Sequence, residues 1–238
     1  MRQFNFTVAQ IAKLMQMQDQ LNTYIHADWK AQDFDWYEAI IDECGEIKAH
    51  LGWKWWKPGY QCGVTEANKP QIKLEVIDIL HFLISGMIEL SHSAEVVAEI
   101  FNAASVTERH TLDSVVSRLR YMACDGYYPA VTWAWLAQLL GMTEQEILET
   151  YTQKYVLNKF RQDHGYKTGE YVKEWKLEKE VVAEHKCELP GYIEYVYEDN
   201  QVLEFVVASY KAAGLDTTDE TLLYNKLESL YNSRLNKG

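Results

Sequence analysis

Cysteine is scarce in this sequence: Cys44, Cys62, Cys124 and Cys187 are the only four, scattered and without a CxxC spacing. That excludes a disulfide framework and a paired-thiolate zinc site, and it predicts a reducing compartment. Proline and glycine are also few, at 4 and 12 residues, and no internal repeat or low-complexity tract interrupts the chain. No apolar run is long enough to span a bilayer; the longest, around Ile79 to Ile88, is short and interrupted. The opening MRQFNFTVAQ lacks the apolar core of a signal peptide. Together these absences predict a cytoplasmic protein. Three chemical signatures are missing as well. There is no GxxxxGK[ST] loop, no HExxH and no GxSxG, which argues against P-loop, zinc-peptidase and serine-hydrolase chemistry. Positive charge is in deficit, with 23 Lys and Arg against 35 Asp and Glu and a net charge of -12. Neither an extended nucleic-acid surface nor attachment to anionic membrane fits that balance. A phosphate-bearing ligand would need a local basic patch or a metal ion.

What is present belongs to an ordinary globular protein, 47% hydrophobic and 24% charged. At 238 residues, the chain is long enough to bury a good core as one domain. Helical periodicity dominates. Thr7 and Gln10 have capping-box spacing and predict a helix from Val8, and Thr143 with Glu146 repeats the pattern before a helix to about His164, closed by Gly165. Further helices are expected at about 93–104, 112–123 and 130–140, and after Asp219, where Leu223, Leu227, Leu230 and Tyr231 share a face. The expected fold is all-α and bundle-like, with one small β-hairpin near residues 181–197. The expected organisation is a single domain over 1–238. Its core motifs lie at 14–90 and 150–176, with an insertion at 107–141 and an appendage at 177–238.

Two carboxylate pairs stand out. Ile72 to Leu90 is apolar around nearly its whole circumference, yet holds Glu75 and Asp78 one helical turn apart. Like charges taken out of water cost several kcal/mol each unless neutralised, and a hard divalent cation held by carboxylate oxygens does this. Glu43 and Glu46 border the apolar stripe of a preceding helix at the same spacing. They are either a solvated helix edge or the other half of a four-carboxylate site. Between the pairs, Trp53-Lys-Trp-Trp-Lys57 is either a hydrophobic contact or a platform whose Lys54 and Lys57 meet phosphate oxygens. Gln18 and Asn22, four residues apart, present two amides that by spacing alone face solvent.

A second stretch is basic and phenolic. Lys154, Asn158 and Arg161 form one stripe along a helix, and Tyr166, Lys167, Tyr171 and Lys173 follow the Gly165 turn. This is either a basic helix end complementing the macrodipole or a phosphate cradle. Acidic pairs plus this stripe suit a Mg2+-dependent phosphate-ester hydrolase.

The order of these features, Glu43/Glu46, Trp53-Lys-Trp-Trp-Lys57, Glu75-Val-Ile-Asp78-Ile-Leu-His-Phe82, then Leu157-Asn-Lys-Phe-Arg-Gln-Asp-His-Gly-Tyr-Lys-Thr-Gly-Glu-Tyr-Val-Lys-Glu-Trp175, resembles the dimeric all-α dUTPases. These are relatives of the MazG-type nucleotide pyrophosphohydrolases. The resemblance implies a homodimer that hydrolyses dUTP to dUMP and pyrophosphate, and dUDP to dUMP and phosphate, by attack of water on the β-phosphorus. It implies Mg2+ at two or more positions, replaceable by Mn2+, on Glu43, Glu46, Glu75 and Asp78. Glu46 is the first candidate to activate water and Glu43 the second. Lys154, Asn158, Arg161, Tyr166 and Lys173 would hold phosphates, with Lys54 and Lys57 as additions. Gln18, Asn22, Phe82 and Trp53 would address the uracil. Two departures stand against it. The family's acidic-Asn motif, close behind the tryptophan, appears here only at Glu198-Asp199-Asn200, and residues 107–141 match no motif. The rival expectations are a dCTP-preferring or broader nucleoside triphosphate pyrophosphohydrolase on the same scaffold, and a non-catalytic metal- or nucleotide-binding helical protein.

Overall fold

A computed structural model describes residues 3–57, 60, 62–177 and 196–234. The chain divides into two compact units, Met1–Tyr151 and Thr152–Gly238. The first contains α1 (Val8–Ile25), a short 3-10 turn (Trp29–Ala31), α2 (Trp36–His50), α3 (Lys69–Glu89), α4 (Ala94–Ala103), α5 (Leu112–Cys124) and α6 (Ala130–Leu139). Helix α7 (Glu144–Asp163) crosses the division. The second unit continues with β1 (Glu174–Lys176), β2 (Val196–Glu198), α8 (Asp199–Ala213) and α9 (Glu220–Ser233). Among the described residues no helix is long and apolar enough to cross a membrane.

Helix α3 is the centre of the first unit because its sequence leaves it no polar face. Its residues from Ile72 to Met87 are nearly all buried, and α1, α2 and α6 pack around it. Pro70 in its first turn suits a helix start, where the missing N–H costs nothing. The Thr7–Gln10 capping box forms as expected and starts α1. Trp133 from α6 donates its indole N–H to the Val76 carbonyl at 2.8 Å, so its ring enters the core without a lost hydrogen bond. At Gly86 a Cβ would fall 2.1 Å from Tyr128 Cζ. The bare backbone there lets the Tyr128 ring, stacked on Tyr37 at 4.5 Å, approach the helix closely.

In the second unit, the aromatic residues of the 157–175 motif form a nucleus. Phe160, Tyr171 and Trp175 are buried, and Tyr231 of α9 lies 5.4, 5.4 and 5.0 Å from their ring centroids respectively. Leu223, Leu227, Leu230 and Tyr231 of that helix are all buried, as their shared face predicts. The two strands pair antiparallel with Trp175 opposite Tyr197. The small hairpin expected near 181–197 is present among the described residues as Glu174–Lys176 paired with Val196–Glu198. Trp175 drives this, since it is fully buried between exposed neighbours in the alternation a half-buried strand needs. Val181, Val182 and the Pro190-Gly191 turn lie outside the described residues.

Candidate active site

Helices α2 and α3 bring three carboxylates together. One oxygen each from Glu43, Glu75 and Asp78 lies within 4.8 Å of the others. Oxygens sharing a Mg2+ at about 2.1 Å stand roughly 3 to 4 Å apart, so the arrangement fits a hard cation with modest adjustment. The four-carboxylate expectation is corrected to three. Glu46 stands on the exposed side of α2 while Glu43 is half-buried, so only Glu43 brings an oxygen into the cluster. Glu46 still feels the cluster. Burial, then the charges of Glu75, Asp42 and Asp78, push its carboxyl above the usual range, with His50 opposing.

Glu75 is 5% exposed, deep enough that its environment must be polar to tolerate a charge. His50, at the end of α2, places Nε2 3.0 Å from Glu75 Oε1. An ionised carboxylate only accepts, so the imidazole donates. The signal for His50 in the sequence was weak, because a histidine in a last helical turn reads as a partner of the macrodipole.

Gln18 and Asn22 do not face solvent. They are 3% and 6% exposed and sit in a hydrogen-bonded chain whose direction can be derived. The Ser85 hydroxyl donates to the His81 carbonyl at 2.9 Å, so its oxygen must accept from Asn22 Nδ2, also at 2.9 Å. That turns Asn22 Oδ1 towards Gln18 Nε2, again 2.9 Å away. Gln18 Oε1 then accepts from the Tyr151 hydroxyl at 2.6 Å and from His81 Nδ1 at 2.7 Å. Each amide spends one N–H in the chain and retains a second, so the pair is locked as donors. Sequence alone left the amides free to flip. His81, Ser85 and Tyr151 were not singled out, although His81 and Ser85 interrupt the apolar run just as Glu75 and Asp78 do.

The remaining candidates of the first unit occupy varied surroundings. Phe82 is half-buried and stacks near Trp36 at 6.3 Å. Trp53 is 43% exposed and meets Trp56 edge-on at 5.2 Å. Lys54 lies over the Trp53 ring at 5.9 Å, and Lys57 is exposed.

In the second unit the basic stripe is anchored. Arg161 grips Asp199 with Nε and Nη2, both at 2.8 Å, and Nη1 reaches Asn158 at 3.1 Å. Lys154, 1% exposed, donates to Asn200 at 3.1 Å. The Tyr171 hydroxyl donates to Asp199 at 2.9 Å. Burial alone would raise the Asp199 carboxyl, but the hydrogen bond and charge of Arg161, with Tyr171 and Lys154, outweigh it and hold the group below its ordinary range. Tyr166 and Lys173 remain exposed, the ammonium 5.4 Å from the phenol ring centre. The displaced Glu198-Asp199-Asn200 triplet is explained by the hairpin. Glu198 pairs with Glu174, and the Asp199 N–H donates to the Lys173 carbonyl at 3.0 Å, so the triplet returns beside the tryptophan.

A sequence model of the family described as dUTPase matches residues 10–166, which takes in Glu43, Glu46, Glu75 and Asp78. No curated protein matches the chain.

Proposed function

The chain belongs to the dUTPase family, and from that membership we propose that it hydrolyses dUTP to dUMP and pyrophosphate, and dUDP to dUMP and phosphate. The Glu43–Glu75–Asp78 cluster carries this reading. Family and cluster together support a metal-dependent pyrophosphohydrolase activity on nucleotides; the uracil substrate is the finer step. When bound, Mg2+ would supply the positive charge that a polyphosphate requires in a protein of net charge -12. Glu43, Glu75 and Asp78 would hold it. Glu46, three residues along α2 from Glu43 and close enough to Glu75 and Asp78 to feel their charge, is assigned to take the proton of the attacking water.

Lys154, Asn158, Arg161, Tyr166 and Lys173 are assigned to phosphate oxygens, with Lys54 and Lys57 as additions. Arg161 is already neutralised by Asp199, so its part is directional hydrogen bonding, and the exposed Lys173 brings the less compensated charge. Gln18 and Asn22, with Phe82 and Trp53, are assigned to the base. The donor-only amides support uracil over cytosine. Uracil offers a carbonyl oxygen at each of the two positions flanking its ring N–H, whereas cytosine replaces one with an amino donor. A homodimer in the cytoplasm, with Mn2+ able to replace Mg2+, completes the proposal.

The test is product release from dUTP, dUDP, dCTP and dTTP, with Mg2+ and then with chelator. Metal-dependent formation of dUMP from both uracil nucleotides is expected. Comparable cleavage of dCTP would move the assignment to the cytosine-tolerant sister activity, and no cleavage at all would leave a binding protein.

A further inference from the structure

The Glu75 carboxylate has two neighbourhoods. On one side are Glu43 and Asp78, which repel it; on the other is His50 Nε2, 3.0 Å from Oε1. His50 is in turn fixed through its backbone. Its carbonyl accepts from Asn68 Nδ2 at 2.9 Å, and the same amide nitrogen donates to the Gly63 carbonyl at 2.9 Å. Asn68 Oδ1 accepts from the Thr65 N–H at 2.7 Å, and the Gly63 N–H donates to the Leu51 carbonyl at 3.0 Å. The last turn of α2 is therefore tied to the residue that precedes α3, and the tie ends on a side chain holding a carboxylate of the cluster.

We propose that His50 is a positioning residue for the metal centre: by donating to one oxygen of Glu75 it fixes the carboxylate so that the other is presented for a divalent cation. Without that bond, repulsion from Glu43 and Asp78 favours rotamers that turn Glu75 away, and cation binding must first reverse the turn. A hydrogen-bond partner behind a metal ligand typically contributes about 10- to 100-fold in metal affinity. Asn68 acts one step further out by holding His50 in place. The inference rests on the reading of Glu43, Glu75 and Asp78 as cation ligands.

Mn2+ binding, followed by the electron paramagnetic resonance signal of the free ion without nucleotide, separates the two levels. The proteins compared are the wild type, His50→Ala, His50→Gln and Glu75→Gln, with thermal unfolding of each in the absence of metal. His50→Ala is expected to weaken Mn2+ binding about 10-fold with little change in metal-free unfolding. His50→Gln, whose amide nitrogen can occupy the place of Nε2, should recover most of that loss. If His50→Ala binds as tightly as wild type while Glu75→Gln does not, the positioning role is overturned and the metal centre stands. If His50→Ala is as damaging as Glu75→Gln and glutamine restores nothing, His50 is itself a ligand, which also overturns it. If Glu75→Gln leaves wild-type binding unchanged, the metal reading fails first.

Discussion

Between α2 and α3 the fold gathers like charges, with Glu43, Glu75 and Asp78 offering oxygens within 4.8 Å of one another. Around Asp199 it gathers opposite ones, with Arg161 bidentate at 2.8 Å and Lys154 close by. The first arrangement works against folding and suits neutralisation by a cation; the second is internally compensated. Neutralising a residue in the two places should therefore have opposite consequences, on binding and chemistry in one and on stability in the other.

The largest effect is expected in the acidic cluster. Glu75→Gln should lower kcat/KM about 1000-fold, equivalent to roughly 4 kcal/mol of transition-state stabilisation. Its metal-free unfolding free energy should stay within about 0.5 kcal/mol of wild type, because a repulsion is removed while glutamine can still accept from His50. Glu46→Gln sharpens the contrast: turnover should fall about 100-fold or more with Mn2+ affinity little changed, as expected of a base outside the ligand set. Equal loss of affinity in both variants would return Glu46 to the ligands.

Next in size is Asp199→Ala. It removes the buried carboxylate that Arg161 grips with two nitrogens and should cost about 3 to 5 kcal/mol in denaturant unfolding. A loss below about 1 kcal/mol would erase the distinction between the regions. The smallest effect is the pH dependence of the same group. The folded Asp199 carboxyl is held below its ordinary value, so its contribution is full above the unfolded value of about 3.9 and fades as pH falls through the lower folded value. Wild type should lose stability over that acid interval, and Asp199→Asn should show a shallower slope there.

These regions also differ in how far the sequence disclosed them. The helices were legible because local signals agree with tertiary packing. Ile72 to Leu90 had no polar face and became the centre of its unit, and the Thr7 capping box starts α1 where its spacing says. Glu75 and Asp78 were legible as polar intrusions in that run. Glu46 has the same spacing from Glu43 as Asp78 has from Glu75, and only the packing of α2 on α3 shows which of the α2 pair is half-buried and brings an oxygen to the cluster. The amide chain was hidden by distance, since Tyr151 lies 133 residues from Gln18 and only the fold shows which oxygen each amide turns inward. Asp199 stood in plain view but looked out of place, because its position is set by strand register and not by separation along the chain.

That register has a consequence for changing the protein. Trp175 and Tyr197 face each other across two antiparallel strands, so the ends of the segment between them are held together whatever its length. Loop-closure entropy grows only by about 0.6 kcal/mol for each doubling of length. The paired strands are thus a stem whose connection can change in length at little entropic cost. A reporter peptide spliced in there, or a short turn replacing it, meets a stem that already keeps Asp199 beside Arg161.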